Sequence, residues 1–240
     1  MTGKPKYRRV LLKLSGELMK GGHDFGFDEV AINEFGDQIL EVNQLGVQVA
    51  LVVGGGNIFR GGAPFAAHMD RTTADNIGML ATLLNALMLQ DAFEKKGMHI
   101  RILSAIPSPN IAEPFIRRKA LEHLKAGRVV VFACGTGSPF FTTDTAAALR
   151  ANEIEADVLL KGTKVRGVFS TDPQKDPEAQ FFKSITYSEV LKRNLQVMDT
   201  AAFAMCRDNN MPIIVYDATK RDSLRRVVMG EEVGTLVHGE

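Results

Sequence analysis

The stretch Gln48–Gly62, QVALVVGGGNIFRGG, decides the fold. Val49–Val53 is an apolar run of strand length, rich in β-branched residues, and it stops at Gly54-Gly55-Gly56. A buried strand that empties into consecutive glycines lets backbone N–H groups approach a ligand with no Cβ in the way. Arg60 follows four residues after the last of the three, with two more glycines behind it. Its planar, permanently charged guanidinium suits phosphate oxygens. On its own the stretch reads equally as a phosphate cradle or as a tight strand-to-helix turn with an exposed arginine.

It is neither of the common glycine motifs. The dinucleotide spacing G-x-G-x-x-G fails because Phe59 stands where its last glycine belongs. Gly56 and Gly61 have Walker A separation, but Gly62-Ala63 replaces the Lys-Ser/Thr pair that would hold phosphate and magnesium. Any lysine that serves a nucleotide must come from elsewhere in the chain.

At 240 residues the chain suits one large α/β domain, a class that commonly runs to ~200–250 residues. Hydrophobic residues make up 45% and charged residues 24%, ordinary for a globular protein. A net charge of +1 gives no reason to expect nucleic acid or an anionic membrane as partner. No apolar run is long enough to span a bilayer, and the N-terminus has no signal-peptide pattern. Cys134 and Cys206 lie far apart in apolar surroundings and read as free buried thiols of a cytosolic protein. The five histidines have no metal-ligand spacing, so no structural zinc is expected.

Outward from the central strand, apolar strands alternate with helical segments. Residues 1–6 read as a loose polar tail, Val10–Leu14 as a strand, and Gly21–Gly26 as a mobile loop. Asp28 can cap a helix whose apolar face is Ile32, Phe35, Ile39 and Val42, ended by Gly46. Asp70 or Thr72-Thr73 can start the next helix. It carries Ile77, Leu80, Leu83, Leu84, Leu87 and Met88, a stripe wide for one buried face. Core packing accounts for that stripe by default, and an oligomer interface is the sharper alternative. Further strands are expected at Ile100–Ile106, Val129–Ala133, Ala156–Leu160, Pro212–Tyr216 and Gly234–Val237. Helices are expected at Glu113–Ala126, Asp144–Ala151, Tyr187–Arg193, Asp199–Asn209 and Ser223–Met229. Thr163–Phe182 reads as loop and short hairpin. The alternation predicts an open three-layer αβα sandwich, one domain over 1–240, with a mainly parallel sheet. Ligands of such sheets gather at the carboxyl ends of the strands.

Lys13 and Lys161 both stand where a strand is expected to close, each followed within three residues by a glycine. Either alone can snorkel to solvent. Two at like ends, beside a glycine cradle and Arg60, supply positive charge for an anionic transition state. Phosphoryl transfer asks for that charge and for in-line positioning. Magnesium is then expected on the nucleotide phosphates, with few or no protein ligands. In Gly135–Asp144, GTGSPFFTTD, the adjacent aromatics can wall in a base and the threonine hydroxyls can read its edge. Asp144 can orient the lysines, while Thr143 or Asp144 can equally cap the following helix. Asp75 is expected in the first turn of its helix, where the dipole alone favours a carboxylate. Its functional reading is a bidentate acceptor for two ribose hydroxyls.

These stretches together resemble the bacterial uridylate kinase family of the amino-acid-kinase superfamily. The resemblance rests on KLSG at Lys13–Gly16, the Gly54–Arg60 loop, RTTADNIGMLAT at Arg71–Thr82, GTGSPFFTTD, and KGTKVRGVFSTDP at Lys161–Pro173. It continues through Val197-Met198-Asp199 and Leu224–Val228. The strand–glycine loop is shared with carbamate, acetylglutamate and aspartate kinases, whereas RTTAD and PFFTT are specific to the UMP branch. The resemblance implies transfer of the γ-phosphoryl group of Mg-ATP to UMP. The UMP site would lie mainly in 50–145, and the ATP site mainly in 155–220 plus 13–16. It implies that Lys13, Leu14, Ser15, Gly16, Gly56 and Arg60 meet ATP phosphates or the transferred group, and that Thr163, Phe169 and Asp172 hold the ATP nucleoside. Gly55, Asp75, Thr136, Gly137, Ser138, Pro139, Phe140, Phe141, Thr142 and Thr143 would bind UMP. Lys13 and Lys161 would stabilise the transition state with Arg60, and Asp144 would orient the lysines. The family is typically a cytoplasmic homohexamer, activated by GTP and inhibited by UTP. This chain departs from it with Ser138 for the usual Asn, Gly162 for Ala and Arg166 for Asp. The rival readings are a superfamily kinase acting on a carboxylate or carbamate, a non-catalytic nucleotide sensor, and a dinucleotide-binding oxidoreductase.

Overall fold

The computed structural model describes residues 3–63, 68–173 and 175–239. Met1 and Thr2 of the expected tail, and Gln174 of the expected 163–182 loop, lie outside the described residues. The strands are β1 (Arg9–Leu14), β2 (Gln48–Val53), β3 (Ile100–Ser104), β4 (Glu113–Pro114), β5 (Val129–Ala133), β6 (Val158–Thr163), β7 (Ser184–Thr186), β8 (Ile213–Asp217) and β9 (Thr235–His238). The helices are α1 (Gly16–Met19), α2 (Glu29–Gln44), α3 (Arg71–Glu94), α4 (Arg117–Lys125), α5 (Thr143–Glu153), α6 (Tyr187–Lys192), α7 (Thr200–Asp208) and α8 (Ser223–Val228). The strands form one sheet in the order β4-β3-β5-β2-β1-β6-β8-β9-β7. Every pairing is parallel except β8 with β9.

Alternation along each strand sends side chains to two cores. On one face, Val10, Leu12 and Leu14 of β1 and Val49, Leu51 and Val53 of β2 pack with the apolar sides of α2, α3 and α8. On the other, Leu11 of β1, Ala50 and Val52 of β2 and Leu159 of β6 pack with α4, α5, α6 and α7. Strands covered on both faces are apolar throughout, which is why β5 reads VVVFA and is buried along its whole length. This is the three-layer αβα sandwich that the alternation predicts.

Several local expectations shift. Residues Glu113 and Pro114 do not start a helix. They form the edge strand β4 against Leu103 and Ser104, and α4 begins only at Arg117. A proline disfavours helical backbone in the residue before it and is at home on a sheet edge. Asp70 caps α3, its Oδ2 accepting from the Thr73 N–H at 2.9 Å. Asp75 is therefore the fifth helical residue and not in the first turn, so the dipole argument for it lapses. The cap of α5 is neither Thr143 nor Asp144 but Thr142, which accepts from the backbone N–H of Asp144 and Thr145. The strand expected to close at Lys161 runs on through Gly162 and Thr163, because β8 supplies partners as far as Asp217. By contrast, β1 ends at Leu14 as expected. The expected hairpin within 163–182 is present as an antiparallel bridge between Phe169 and Phe181.

Candidate active site

Lys13 and Lys161 are register partners on adjacent parallel strands. Two residues earlier on the same face stand Leu11 and Leu159, both in the core beneath α5. A period of two therefore carries both ammonium groups to one place at the carboxyl end of the sheet. The helix above them is rich in alanine, with Ala146, Ala147, Ala148 and Ala151 fully packed. Small side chains let α5 approach the strands closely, and its second residue is Asp144. The Asp144 carboxylate bridges the pair, with Oδ1 2.8 Å from Lys13 Nζ and Oδ2 2.7 Å from Lys161 Nζ. Lys161 Nζ also donates to the Val197 carbonyl at 2.6 Å. All three side chains are largely buried, so neither lysine snorkels to solvent.

Burial pushes the Asp144 carboxyl up, but the two ammonium groups outweigh it and hold the carboxyl below the usual range. Burial lowers the Lys161 ammonium, and Asp144 offsets only part of that. Two ammonium groups against one carboxylate leave an excess of positive charge, which an incoming phosphate can use.

The glycine cradle sits beside this cluster. A Cβ at Gly55 would come 2.8 Å from Ala81 Cβ and 2.8 Å from the Gly78 carbonyl, so only glycine lets the loop lie against α3. A Cβ at Gly16 would fall 2.3 Å from the Gly54 carbonyl, so the loop after β1 lies directly on the loop after β2. Leu14 is core and Ser15 caps α1, its Oγ accepting from the Glu17 N–H at 3.3 Å. Arg60 is half exposed. Its guanidinium pairs with Glu17 and its Nε donates to the Gly56 carbonyl at 3.0 Å. Nothing local to Arg60 signals Glu17, which comes from α1.

A cavity of about 270 Å³ opens between α3 and the loop after β5. Gly55, Gly56 and Asp75 line it from one side, and Thr136, Ser138 and the Phe141–Thr143 run from the other. The loop turns through positive φ at Cys134 (61°), Gly135 (58°), Gly137 (81°) and Phe140 (71°). An aromatic residue in that region is strained, and Asp75 holds it there, its Oδ2 accepting from the Phe140 N–H at 2.7 Å. Arg71 donates to the same oxygen at 2.8 Å, and its guanidinium lies 5.5 Å from the Phe140 ring centroid. Arg71 also lines the cavity. Its sequence signals are its place at the head of the RTTAD stretch and its i, i+4 spacing to Asp75. Gly137, Pro139 and Phe140 shape the loop without lining the cavity.

A second cavity, about 810 Å³, has Asp144 and Lys161 in its wall together with Val197, Met198 and Asp199. Asp199 caps α7 and accepts from the hydroxyls of Thr142 and Thr145, which fastens the start of α7 to the start of α5. Thr163, Phe169 and Asp172 line neither cavity. The Thr163 hydroxyl lies 2.8 Å from the Val165 carbonyl and 3.2 Å from that of Tyr216, either of which can accept its one hydrogen, and the Phe169 ring packs on Phe181 at 5.3 Å. Two departures from the family pattern have local causes. A Cβ at Gly162 would come 2.8 Å from Leu14 Cδ2 and 2.9 Å from Ala218 Cβ. Arg166 lies over the Phe181 ring at 4.2 Å.

A parallel αβα sheet that gathers a glycine-rich loop and two aspartate-bridged lysines at its strand ends is an arrangement able to serve phosphoryl transfer. The chain belongs to the amino acid kinase family, which residues 8–217 match. It is similar over its full length to solved UMP kinases. That of Bacillus anthracis is 39% identical, with a TM-score of 0.95 and coverage of 98% of this chain and 97% of that one. That of Ureaplasma parvum is 35% identical, with a TM-score of 0.92 and coverage of 97% and 99%. The uridylate kinase of Archaeoglobus fulgidus is 31% identical, with a TM-score of 0.74 and coverage of 95% and 99%. Among the described residues, no helix is long and apolar enough to cross a membrane.

Proposed function

We propose that this enzyme transfers the γ-phosphoryl group of Mg-ATP to UMP, giving UDP and ADP for pyrimidine nucleotide synthesis. The observation that carries the reading is the Lys13–Asp144–Lys161 bridge, whose aspartate follows directly on Thr143 in the wall of a cavity lined by the glycine cradle and Asp75. UMP occupies that cavity, its ribose against Asp75 and its base against the Thr136–Thr143 loop. The ATP phosphates lie over Lys13–Gly16 and Gly56, and Arg60 leaves Glu17 to meet them. Thr163, Phe169 and Asp172 hold the nucleoside of ATP. Lys13 and Lys161 stabilise charge on the transferred group, and Asp144 keeps both in place.

The donor set fits a magnesium ion carried in on the nucleotide. Asp144 commits both oxygens to lysines. Among the described residues, no three His, Cys, Asp or Glu side chains converge. Bound to the phosphates, magnesium supplies further neutralisation of their charge.

The test is ADP release with Mg-ATP and a panel of UMP, CMP, dUMP, carbamate, acetylglutamate and aspartate. Strong preference for UMP is expected. Turnover of an acid instead would keep the fold and the lysines and discard the UMP assignment. ATP binding with no turnover of anything would favour a nucleotide sensor.

The proposal extends to a homohexamer in the cytoplasm, activated by GTP and inhibited by UTP, on the family resemblance. One feature of α3 supports subunit packing. Leu83, Met79 and Leu89 face the core, while Leu80, Leu84 and Met88 form an exposed row at i, i+4 and i+8. Apolar rows of that kind mark interaction sites when contiguous. Sedimentation at micromolar concentration should give an oligomer, and a monomer would remove this part of the proposal.

A further inference from the structure

The buried polar groups of the chain include one pair that lines neither cavity and bonds neither lysine, Asn57 of the Gly54–Arg60 loop and Asn85 of α3. Asn57 and Asn85 are 1% and 0% exposed. They lie 28 residues apart and join through both amides, Asn57 Nδ2 to Asn85 Oδ1 at 3.0 Å and Asn85 Nδ2 to Asn57 Oδ1 at 2.8 Å. Each amide also reaches a backbone carbonyl. Asn85 Nδ2 donates to Gly54 at 2.7 Å, and Asn57 Nδ2 donates to Gly26 at 3.0 Å. The Gly26 N–H returns a bond to the Asn57 carbonyl at 2.7 Å. A Cβ at Gly16 would fall 2.4 Å from Asn57 Oδ1, so the loop after β1 rests on the same amide.

Core packing needs none of this. Two apolar residues of like volume would fill the same space without the cost of burying two amides. What the amides add is direction. They fix the Gly54 carbonyl against the middle of α3, and they fix the loop after β1 and the Gly21–Gly26 loop against the glycine cradle. On the kinase reading, the Lys13–Gly16 segment and the glycine cradle are the two that carry donor groups for the reacting phosphates.

We propose that the Asn57–Asn85 pair is a positioning element of the phosphoryl-transfer site. It sets the separation and angle between the Lys13–Gly16 loop and the Gly54–Gly56 cradle, and so the in-line alignment of donor and acceptor phosphates. This inference rests on the kinase reading given above. It touches neither substrate. Misplacement of about 1 Å by a residue remote from the chemistry can cost about 100-fold in rate.

The experiment uses Asn85→Asp and Asn57→Asp, which keep shape and volume. Asn85→Asp turns the donor facing the Gly54 carbonyl into an acceptor, and Asn57→Asp does the same towards the Gly26 carbonyl. Full steady-state kinetics with UMP and Mg-ATP are measured on folded enzyme, with thermal melting alongside. For Asn85→Asp, kcat should fall at least about tenfold, with KM for UMP within about twofold because neither asparagine lines the UMP cavity. Asn57→Asp should show the same split, and it stands as the test if Asn85→Asp does not fold. An unchanged kcat with only a lowered melting temperature would overturn the proposal and leave the pair a packing feature. So would a rise in KM for UMP at constant kcat. If the wild-type enzyme itself releases no ADP with UMP, the kinase reading has failed rather than the positioning role.

Discussion

Lys161→Ala should lose about 100- to 1,000-fold in turnover while its affinity for ATP stays largely as in the wild type. The size follows from removing one preorganised donor aimed at developing charge, worth about 3–4 kcal/mol. The selectivity follows from place. Lys161 Nζ lies on the Asp144 carboxylate, beneath α5 and away from the solvent edge of the sheet. A group so placed meets the transferred phosphoryl in the proposed mechanism, not the nucleoside. The substitution also leaves Asp144 with Lys13 alone and the Val197 carbonyl without its donor. Breaking a buried ion pair outright costs roughly 3–5 kcal/mol of stability, and here Lys13 retains half of the arrangement. Melting curves on the same sample separate that loss from the loss in rate. Near-wild-type turnover per folded molecule would show that Lys161 serves only to neutralise Asp144.

How such a site could be read from the chain differs from residue to residue. The central strand and its glycine-rich end were legible because their signal is local, an apolar run ending in three glycines. The strand Val129–Ala133 was legible to the residue for the same reason, since a fully covered strand is apolar at every position. Lys13 and Lys161 were visible as lysines near strand ends, but not as each other's register partners. Register is fixed by pairing between segments 148 positions apart, and neither segment encodes it alone. The extension of β6 past Lys161 is likewise the work of β8. The polar partners Glu17, Asn85 and Asp199 lie 43, 28 and 57 residues from Arg60, Asn57 and Thr142. Nothing in the spacing of a sequence marks such pairs. Asp75 is the instructive middle case. Its place on a helix was right, but the cap at Asp70 moved it out of the first turn and took away the dipole as an explanation. What remains is a half-buried carboxylate at the cavity wall, held by Arg71 and by the Phe140 N–H.

That carboxylate supports the second large effect. Asp75→Ala should raise KM for UMP by roughly 10- to 100-fold, the equivalent of one hydrogen bond to a charged group at about 1.5–3 kcal/mol. It should also erase most of the preference for UMP over dUMP, because a site built to bond a hydroxyl rejects the analogue that lacks it. Both contacts that hold Asp75 fall on Oδ2. Oδ1 carries neither of them, which leaves it for the proposed ribose. A simpler account must be separated from this one. Alanine also frees the Phe140 N–H and loosens the strained turn at φ 71°, which by itself would weaken the binding of any nucleotide. A loosened loop penalises UMP and dUMP alike, whereas loss of an acceptor for the hydroxyl that dUMP lacks penalises UMP more. The ratio of kcat/KM for the two substrates therefore reports the ribose contact, and the absolute KM reports the loop. A UMP requirement that rises with the ratio unchanged would make Asp75 a clamp for the loop and return the reading of the ribose to another group. An unchanged KM in the folded variant would remove Asp75 from the site altogether.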